Sequence, residues 1–295
     1  MKENLRECLF EGKIIPFKNI TIDDLWRGFL YGDGIFDTLR VRNYVIFRWE
    51  HHWERLVKNA CFCNLSINKE KEEVEEDIIR LLKKAKIEDA YVRINVWRKA
   101  PLFFDPQDER ESFILIIARP YHPYPDEFYQ KGIRCMVSKN FYVNEKSILS
   151  RVKSLSFAGN VLARIEAKMK GYDDAILLNS KWEISEATVA NLFFIIKGKL
   201  FTPSLECGIL EGITRNLVLE ICERLDIEFE EGKYTISSLK DADEVFITNT
   251  LCGILPVREI EGIFKSDNFP ITQYLMREYE KLFISETKGR SKNGY

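Results

Sequence analysis

The segment RPYHPYPDEF, residues 119–128, constrains the fold more than any other part of the sequence because it holds three prolines in six residues. Proline has no amide donor and a fixed φ, so this segment cannot continue a helix or a central strand. A chain of 295 residues is long enough for two domains of ordinary size. We therefore predict a small N-terminal domain at 1–120, a proline-rich linker at 121–125 and a larger C-terminal domain at 126–295.

Apolar residues recur at helical spacing in several segments and alternate as in strands elsewhere. Helices are predicted from about Glu50 to Cys63, over EKEEVEEDIIRLLKKAKI, from about Val161 to Lys170, and over GITRNLVLEICERL and ITQYLMREYEKLF. Between them lie β-rich runs with turn residues, among them a hairpin about Lys197-Gly198-Lys199. Both predicted domains therefore combine helices with strands.

The charge balance narrows the class of partner. Forty-four basic and 46 acidic residues leave a net charge of −2, which gives no electrostatic reason to bind nucleic acid or an anionic membrane. A small molecule is the expected ligand. The sequence shows neither a basic-then-apolar segment at its start nor a run of about 18 apolar residues, so we expect a cytoplasmic protein that does not span a membrane.

The seven cysteines are an odd number without a repeated spacing, which does not suit a disulfide framework. Most of them are expected to be reduced and buried. The short spacing Cys61-Phe62-Cys63, ten residues after His51-His52, raises the question of a metal site. The spacing is not that of a zinc knuckle, and Cys61 falls on the apolar face of its predicted helix, so no metal is expected.

Lys153 lies in SRVKSLSFAGN, a stretch of mainly small and apolar residues. Burial favours the neutral amine of a lysine, and a neutral amine can form a Schiff base with an aldehyde. The alternative is an ordinary exposed loop lysine, and spacing alone favours that alternative.

Two other features are compatible with a phosphate-bearing ligand. Gly212-Ile213-Thr214 directly precedes a predicted helix, where exposed amides, a glycine and a hydroxyl can hold phosphate. The same residues also suit an ordinary helix N-cap. Glu186 lies in a largely apolar strand, where a buried carboxylate needs a partner such as a protonated ring nitrogen, unless it points to water at the strand end.

Seven segments of the sequence form a set in a fixed order. They are FLYGDGIFDTLRV, HHWERL, YVRINVWR, KSLSFAGNVLARIEAKMKGYDDAILLN, EATVANLFFI, LFTPSLECGILEGITR and DEVFITNTLCGILPV. Together they resemble the fold-type IV pyridoxal-phosphate enzymes of the class IV aminotransferase family, which include branched-chain and D-amino-acid aminotransferases and 4-amino-4-deoxychorismate lyase. The resemblance implies a two-domain α+β fold similar to D-amino-acid aminotransferase, with a small N-terminal α/β domain and a larger, β-rich C-terminal domain that binds pyridoxal 5′-phosphate.

The resemblance also implies roles for individual residues. Lys153 is implied to hold the cofactor as a Schiff base and then to act as the base that moves protons, while Glu186 meets the pyridine nitrogen. The implied phosphate ligands are Arg55, the amides of Ile213 and Thr214 with the Thr214 hydroxyl, and Thr250.

Periodicity and resemblance disagree about Arg55. On the predicted helix this residue lies opposite the apolar face, which predicts exposure to solvent. The resemblance to HHWERL predicts that Arg55 faces the cofactor, and we follow the resemblance.

Local departures from the family patterns bear on the reaction. The branched-chain aminotransferases carry a tyrosine shortly after the lysine, which KSLSFAGN lacks, and a Gly-Thr-Ala-Ala run where this chain has Asn249-Thr250-Leu251-Cys252. Thr38 in FDTLRV and the run TNTLCGILPV look more like the lyase. The sequence therefore favours 4-amino-4-deoxychorismate lyase, which releases p-aminobenzoate and pyruvate and would place the protein in folate biosynthesis.

Two alternatives stay open at this point. One is a class IV aminotransferase that acts on branched-chain or D-amino acids with a 2-keto acid acceptor. The other, more remote, is a scaffold that binds a phosphate ligand without turnover, which the lysine, the glutamate and the phosphate-binding residues all disfavour.

Several residues of the motifs are expected to contact an amino substrate. Against the lyase, Asp37 stands where relatives often have glutamate or threonine. Phe36 stands where D-amino-acid aminotransferases typically have tyrosine. Arg93 and Arg98 can bind substrate carboxylates, or else form surface ion pairs on their strand. The implied substrate-binding residues are Phe36, Thr38, Arg93, Arg98, Asn249, Leu251 and Cys252. Members of the family are commonly homodimers, so the resemblance implies a homodimer.

Overall fold

The protein is described by a computed structural model that covers residues 7–100, 105 and 109–289, without the side chains of residues 22–26. The chain divides into two compact units, Met1–His122 with Val152–Ser156 and Phe283–Tyr295, and Pro123–Arg151 with Phe157–Leu282. The first division falls between His122 and Pro123, within the proline-rich segment. Lys153 belongs to the first unit. The domain limits given by the sequence stay a prediction.

The first unit contains a six-stranded sheet. Its strands are β1 (Glu7–Phe10), β2 (Lys13–Pro16), β3 (Gly34–Arg42), β4 (Val45–Ile46), β5 (Asp89–Arg98) and β6 (Ser112–Pro120). They follow the order β2-β1-β6-β5-β3-β4, and every neighbouring pair is antiparallel. Strand β5 is paired along its length on both sides: with β3, from Gly34 opposite Trp97 to Arg42 opposite Asp89, and with β6, from Ala90 opposite Pro120 to Arg98 opposite Ser112.

Three helices accompany this sheet: α1 (Ile22–Tyr31), α2 (Trp49–Phe62) and α3 (Lys71–Ala85). The start of α3 is fixed by a capping box between Glu70 and Glu73, and its buried residues include Val74, Ile78, Leu81 and Leu82, as the periodicity predicts. Helix α2 was expected. Helix α1 was not, although its apolar residues Leu25, Trp26, Phe29 and Leu30 recur at helical spacing.

The second unit contains a nine-stranded mixed sheet. Its elements are α4 (Asp126–Lys131), β7 (Ile133–Val143), α5 (Ala158–Met169), β8 (Asp174–Asn179), β9 (Ile184–Ala187), β10 (Asn191–Ile196), β11 (Lys199–Pro203), α6 (Ile213–Arg224), β12 (Phe229–Gly232), β13 (Glu244–Asn249), β14 (Gly253–Ile260), β15 (Phe264–Lys265) and α7 (Pro270–Glu286). The end of α7, from Phe283, belongs to the first unit. The strand order is β12-β11-β10-β13-β14-β7-β8-β9, with β15 beside β14. Strands β7 and β8 are parallel, and α5 forms the crossover between them.

The predicted hairpin at Lys197-Gly198-Lys199 is confirmed. Strands β10 and β11 pair from Ile196 opposite Lys199, which leaves a loop of two residues. Lys197 and Gly198 both have positive φ, 50° and 83°, as a type I′ turn requires.

All seven cysteines are free thiols, and five of them are buried. Cys61 is exposed, so its predicted place on the apolar face of α2 is wrong; the buried face carries Trp49, His52, Leu56, Asn59 and Ala60. Among the described residues, no three His, Cys, Asp or Glu side chains gather as metal ligands would. None of the described helices has both the length and the apolar character needed to cross a bilayer.

Candidate active site

Lys153 lies in a short extended segment that pairs with the beginning of β3. The Phe36 amide donates to the Lys153 carbonyl oxygen (2.8 Å), and the Leu155 amide donates to the Gly34 carbonyl oxygen (2.9 Å). The Lys153 side chain is half-buried, and its Nζ lies 4.6 Å from the centre of the Phe36 ring. The backbone of Lys153 is therefore held by the sheet, and the alternative of an ordinary exposed loop lysine does not describe it.

Two glycines allow this segment to approach β3. Gly32 has a φ of +62°, and a Cβ there would lie 2.4 Å from the Ser156 hydroxyl oxygen. A Cβ on Gly34 would lie 2.5 Å from the Val96 carbonyl oxygen and 2.8 Å from Leu155 Cδ1. A backbone carbonyl cannot turn aside as a flexible side chain can, so Gly34 is needed where β3, β5 and the Lys153 segment meet.

Replacing Gly34 with alanine is expected to displace the Lys153 segment or to separate β3 from β5. The added methyl group should lower the free energy of unfolding by about 1–3 kcal/mol. It should also lower kcat, because Lys153 is displaced from its position. Thermal unfolding and steady-state kinetics measure the two effects. Gly289→Ala is the control, because a Cβ there would meet only Asn43, at an ordinary 3.5 Å. Unchanged stability and kcat in Gly34→Ala would contradict this account of the segment.

The Phe36 ring also contacts Arg93. The central carbon of the Arg93 guanidinium lies 3.6 Å from the ring centre, and its Nε donates to Asn95 Oδ1 (2.8 Å). Arg93 has no carboxylate partner among the residues that the structure describes. In the β3–β5 pairing Thr38 lies opposite Arg93, on the face of the sheet that carries Phe36. Phe36, Thr38, Arg93 and Lys153 are thus brought together.

Arg55 is bound to a buried carboxylate and is only 11% exposed. Its Nε donates to Asp37 Oδ2 (2.9 Å) and its Nη2 to Asp37 Oδ1 (2.8 Å). His52 Nδ1 lies 3.0 Å from the same Oδ1. The exposure predicted from periodicity is wrong because polar side chains occupy part of the face of α2 that packs on β3, and a hydrophobic pattern does not record them.

The surroundings set the protonation of this cluster. Burial tends to raise the pKa of the Asp37 carboxyl, but the charge of Arg55 and the His52 ring outweigh it and hold that pKa well below its usual range. Burial lowers the pKa of His52, although Asp37 opposes the shift. His52 is therefore neutral at pH 7, and its Nδ1 carries the proton that it donates to Asp37.

Arg98 uses all five of its N–H groups within the first unit. Nε and Nη2 donate to the Asp33 carboxylate (3.0 and 3.3 Å), and the other donors reach the carbonyl oxygens of Cys63, Asn64 and Glu109 (2.7–2.9 Å). Asp33 is in turn paired with Arg27 at 2.7 Å. The Arg98 guanidinium therefore fastens the end of α2 to β5, and the predicted contact with a substrate carboxylate would require these bonds to break.

Glu186 in β9 is held by two donors of the second unit. The Leu210 amide donates to Glu186 Oε2 (3.0 Å), and Asn191 Nδ2 donates to the same oxygen (3.3 Å). The side chain is half-buried between the fully buried Ser185 and Ala187. The carboxylate is therefore fixed in place by its neighbours.

Asn191 also lies against the start of α6. A Cβ on Gly212 would lie 2.0 Å from Asn191 Oδ1, so only glycine permits this approach. Gly212 is the N-cap of α6 and makes no side-chain cap hydrogen bond. The amides of Ile213 and Thr214 lie in the first turn, so they have no acceptor within the helix, and Gly212 has no side chain that could accept from them. These amides make the N-terminus of α6 attractive to an anion.

The turn Asn249-Thr250-Leu251-Cys252 joins β13 to β14. Asn249 Oδ1 accepts hydrogen bonds from the amides of Leu251 and Cys252, both 2.8 Å. Thr250 is half-buried. Cys252 packs in the hydrophobic core of the second unit, and burial raises the pKa of its thiol to about 12. The amides of Leu251 and Cys252 are therefore bound by the Asn249 side chain, and the Cys252 side chain contributes to the core.

Sequence reasoning missed the residues that hold the predicted ones. His52 precedes Arg55 by three positions on a helix, and this spacing was a usable signal that the two share a face. Asp37 and Gly34 gave no such signal, because their partners Arg55, Val96 and Leu155 lie on other segments. Asn191 lies only five positions after Glu186, but no helical spacing marks the pair.

The residues of each unit fit pyridoxal 5′-phosphate. The first unit offers the half-buried Lys153 amine for an aldehyde and the Arg55 guanidinium for a phosphate. The second offers the fixed Glu186 carboxylate for a protonated ring nitrogen. It also offers the amides of Ile213 and Thr214 at the N-terminus of α6, directly after Gly212, for a phosphate.

Comparison with known proteins identifies the family. The model of the family described as amino-transferase class IV matches residues 34–260. A probable branched-chain-amino-acid aminotransferase of Aquifex aeolicus is 37% identical, over 92% of this chain and 90% of the relative. A putative enzyme of the same name from Methanocaldococcus jannaschii is 35% identical, over 85% and 86%. A D-alanine aminotransferase of Listeria monocytogenes is 28% identical, over 92% and 96%.

Solved structures agree in fold. The branched-chain amino acid aminotransferase of Escherichia coli superposes with a TM-score of 0.90 at 27% identity, covering 99% of this chain and 98% of that one. The PLP form of the Thermobaculum terrenum enzyme has a TM-score of 0.86 at 27% identity, covering 97% and 96%. A putative 4-amino-4-deoxychorismate lyase of Legionella pneumophila has a TM-score of 0.81 at 28% identity, covering 90% and 95%.

The fold class and the cofactor expected from the sequence motifs are confirmed by these matches. The chain belongs to the class IV aminotransferases, enzymes of fold type IV that depend on pyridoxal 5′-phosphate.

Proposed function

We propose that this enzyme is an aminotransferase for branched-chain L-amino acids with a 2-keto acid as acceptor. The observation that carries the proposal is the identity of 37% and 35% with two relatives that bear this name, each over at least 85% of the chain. The D-alanine aminotransferase is 28% identical. The lyase structure is also 28% identical, but it superposes less closely than the branched-chain enzyme of Escherichia coli, with a TM-score of 0.81 against 0.90. The comparisons thus favour the alternative over the lyase that the sequence motifs favoured.

The geometry of the turn at 249–252 weakens one argument for the lyase. From the sequence, Leu251 and Cys252 were expected to be bulky neighbours of backbone amides that bind a substrate carboxylate. Asn249 caps both amides, and the Cys252 side chain packs in the core. A bulky residue at position 252 therefore says little about the substrate. The missing tyrosine after Lys153 and the presence of Thr38 still resemble the lyase.

The proposed roles in cofactor binding follow the resemblance and the local geometry. When bound, pyridoxal phosphate accepts the electrons released at the amino-bearing carbon of the substrate. The Lys153 amine holds the cofactor and moves the proton at that carbon. Glu186 keeps a proton at the ring nitrogen. The phosphate ligands are Arg55, the amides of Ile213 and Thr214 with the Thr214 hydroxyl, and Thr250.

On the substrate side, we propose Arg93 as the arginine that binds a carboxylate. Its guanidinium stacks on the same Phe36 ring that Lys153 approaches, and its only side-chain acceptor among the described residues is Asn95 Oδ1. Phe36 and Thr38 line the same face of the sheet. Arg98 is proposed to support the site from within the first unit, because its donors are already engaged. Asn249 shapes the turn that carries Leu251 and Cys252.

A homodimer is proposed as the working form. Helix α5 exposes an apolar stripe formed by Val161, Leu162, Ile165 and Met169, whose exposures reach 83%. Monomers rarely leave such stripes uncovered. Light scattering is expected to give a mass of twice 34.7 kDa, and a mass equal to one chain would contradict the proposal.

The reaction is tested by supplying substrates in parallel. The enzyme receives L-leucine, L-isoleucine, L-valine and a panel of D-amino acids, each with 2-oxoglutarate, and separately 4-amino-4-deoxychorismate. The proposal predicts keto acids from the three branched-chain L-amino acids at the highest kcat/KM. Faster turnover of D-amino acids, or release of pyruvate and p-aminobenzoate faster than transamination, would refute it.

A further inference from the structure

Asp37, His52 and Arg55 form a closed polar cluster of the first unit, between β3 and α2; we call it the Asp37 cluster. Arg55 directs Nε and Nη2 to the two carboxylate oxygens of Asp37 (2.9 and 2.8 Å). Paired bonds of this kind fix both the plane and the direction of a guanidinium, whereas a single bond leaves it free to rotate. Asp37 therefore sets the orientation of Arg55.

Asp37 is itself held in place by other donors. Its side chain is 1% exposed. Oδ1 accepts the Thr38 amide (2.6 Å) and faces His52 Nδ1 at 3.0 Å. These bonds come from the strand and from the helix, so the carboxylate keeps its rotamer without the help of Arg55.

Stability alone is a weak reason for such a cluster. The cost of removing two charges from water offsets most of their attraction, and apolar side chains of similar volume often serve as well. A buried carboxylate that receives a bidentate arginine and a neutral histidine is better explained by a need to aim the arginine.

We propose that Asp37, supported by His52, is a positioning residue that aims the Arg55 guanidinium at the phosphate group of the cofactor. This inference rests on the proposed role of Arg55 as a phosphate ligand. It goes further by assigning functions to Asp37 and His52.

The inference predicts an effect that depends on the phosphate. Pyridoxal has the same ring and aldehyde as the cofactor but no phosphate, so it does not sense the direction of Arg55. Loss of Asp37 is expected to weaken binding of pyridoxal phosphate by about 10- to 100-fold, the range for a charge-assisted hydrogen bond. Binding of pyridoxal should change by less than about threefold.

The experiment titrates the full-length apoprotein with pyridoxal phosphate and with pyridoxal, followed by absorbance, for the wild type, Asp37→Asn and Arg55→Gln. The phosphorus-31 resonance of the reconstituted proteins gives a second readout that requires no turnover. Both variants are expected to lose selectivity for the phosphate and to shift the resonance.

The outcomes separate the two proposals. If Arg55→Gln loses selectivity and Asp37→Asn keeps it, the positioning role is refuted and the role of Arg55 stands. If neither variant loses selectivity, both proposals are refuted. Should Asp37→Asn fail to fold, Asp37→Glu keeps the ion pair but moves the carboxylate by one methylene; its selectivity is expected to fall by about threefold or more, and unchanged selectivity overturns the inference.

A matched control separates aiming from a general loss of stability. Asp77→Asn removes another buried carboxylate of the first unit, which pairs with Lys69 and Arg80. This variant is expected to lose stability and to keep the selectivity of the wild type. Loss of selectivity in Asp77→Asn as large as in Asp37→Asn would attribute the effect to destabilisation and overturn the inference.

Discussion

Replacing Lys153 with alanine is expected to lower kcat by at least about 10⁴-fold and to remove the visible absorbance band of the lysine-bound cofactor. The variant loses both the amine that holds the aldehyde and the base that moves the substrate proton. Steady-state kinetics and the visible spectrum before and after borohydride reduction measure the two losses. Because the backbone of Lys153, and not its side chain, pairs with β3, the variant should fold.

Lys146→Ala is the matched control, since it removes an exposed lysine seven positions earlier. This control should keep the band and the activity. A reducible band that persists in Lys153→Ala, together with activity within about tenfold of the wild type, would show that another lysine holds the cofactor.

Replacing Glu186 with glutamine is the second large change. The amide keeps the size of the side chain and can still accept the Leu210 and Asn191 hydrogen bonds, but it cannot hold a proton on a ring nitrogen through its charge. We expect kcat to fall by about 10²- to 10³-fold, the range for loss of one electrostatic contact to developing charge. The cofactor should remain bound, so the visible spectrum and kcat together distinguish this loss from cofactor release.

Glu183→Gln provides the comparison. Glu183 lies three positions earlier and binds Asn179 Nδ2 at 2.8 Å. This variant should transaminate like the wild type. If Glu186→Gln keeps kcat within about threefold of the wild type, the assignment of Glu186 to the ring nitrogen does not hold.

The fold follows from the sequence where the determinants are local. The turn at Lys197-Gly198 and helix α3 are set by neighbouring residues, and both were predicted. Helix α1 was not predicted, and α5 begins three residues before the predicted start at Val161. The helical period of α1 is present in the sequence and was overlooked, whereas the first turn of α5, Ala158-Gly159-Asn160, carries no large apolar residue that would extend the period.

In the candidate site, too, the sequence identified single residues but not the contacts that hold them. The motifs named Lys153, Glu186 and Arg55, but not the groups that fix them. Lys153 depends on main-chain pairing with β3, Arg55 on Asp37, and Glu186 on Asn191 and the Leu210 amide. Each partner comes from a different segment, so only the folded chain brings them together. Arg55 was predicted to be exposed because the face of α2 that it shares with His52 carries polar residues, and an apolar period does not mark such a face as buried.

The central claim, transamination of branched-chain amino acids, is tested most directly by the half-reaction. The holoenzyme is mixed with L-leucine in the absence of any keto acid, and the visible spectrum and the products are followed. An aminotransferase moves the amino group onto the cofactor, so the band should disappear with stoichiometric release of 4-methyl-2-oxopentanoate, and 2-oxoglutarate should restore it. A band unchanged by L-leucine, with pyruvate released from 4-amino-4-deoxychorismate, would contradict the account.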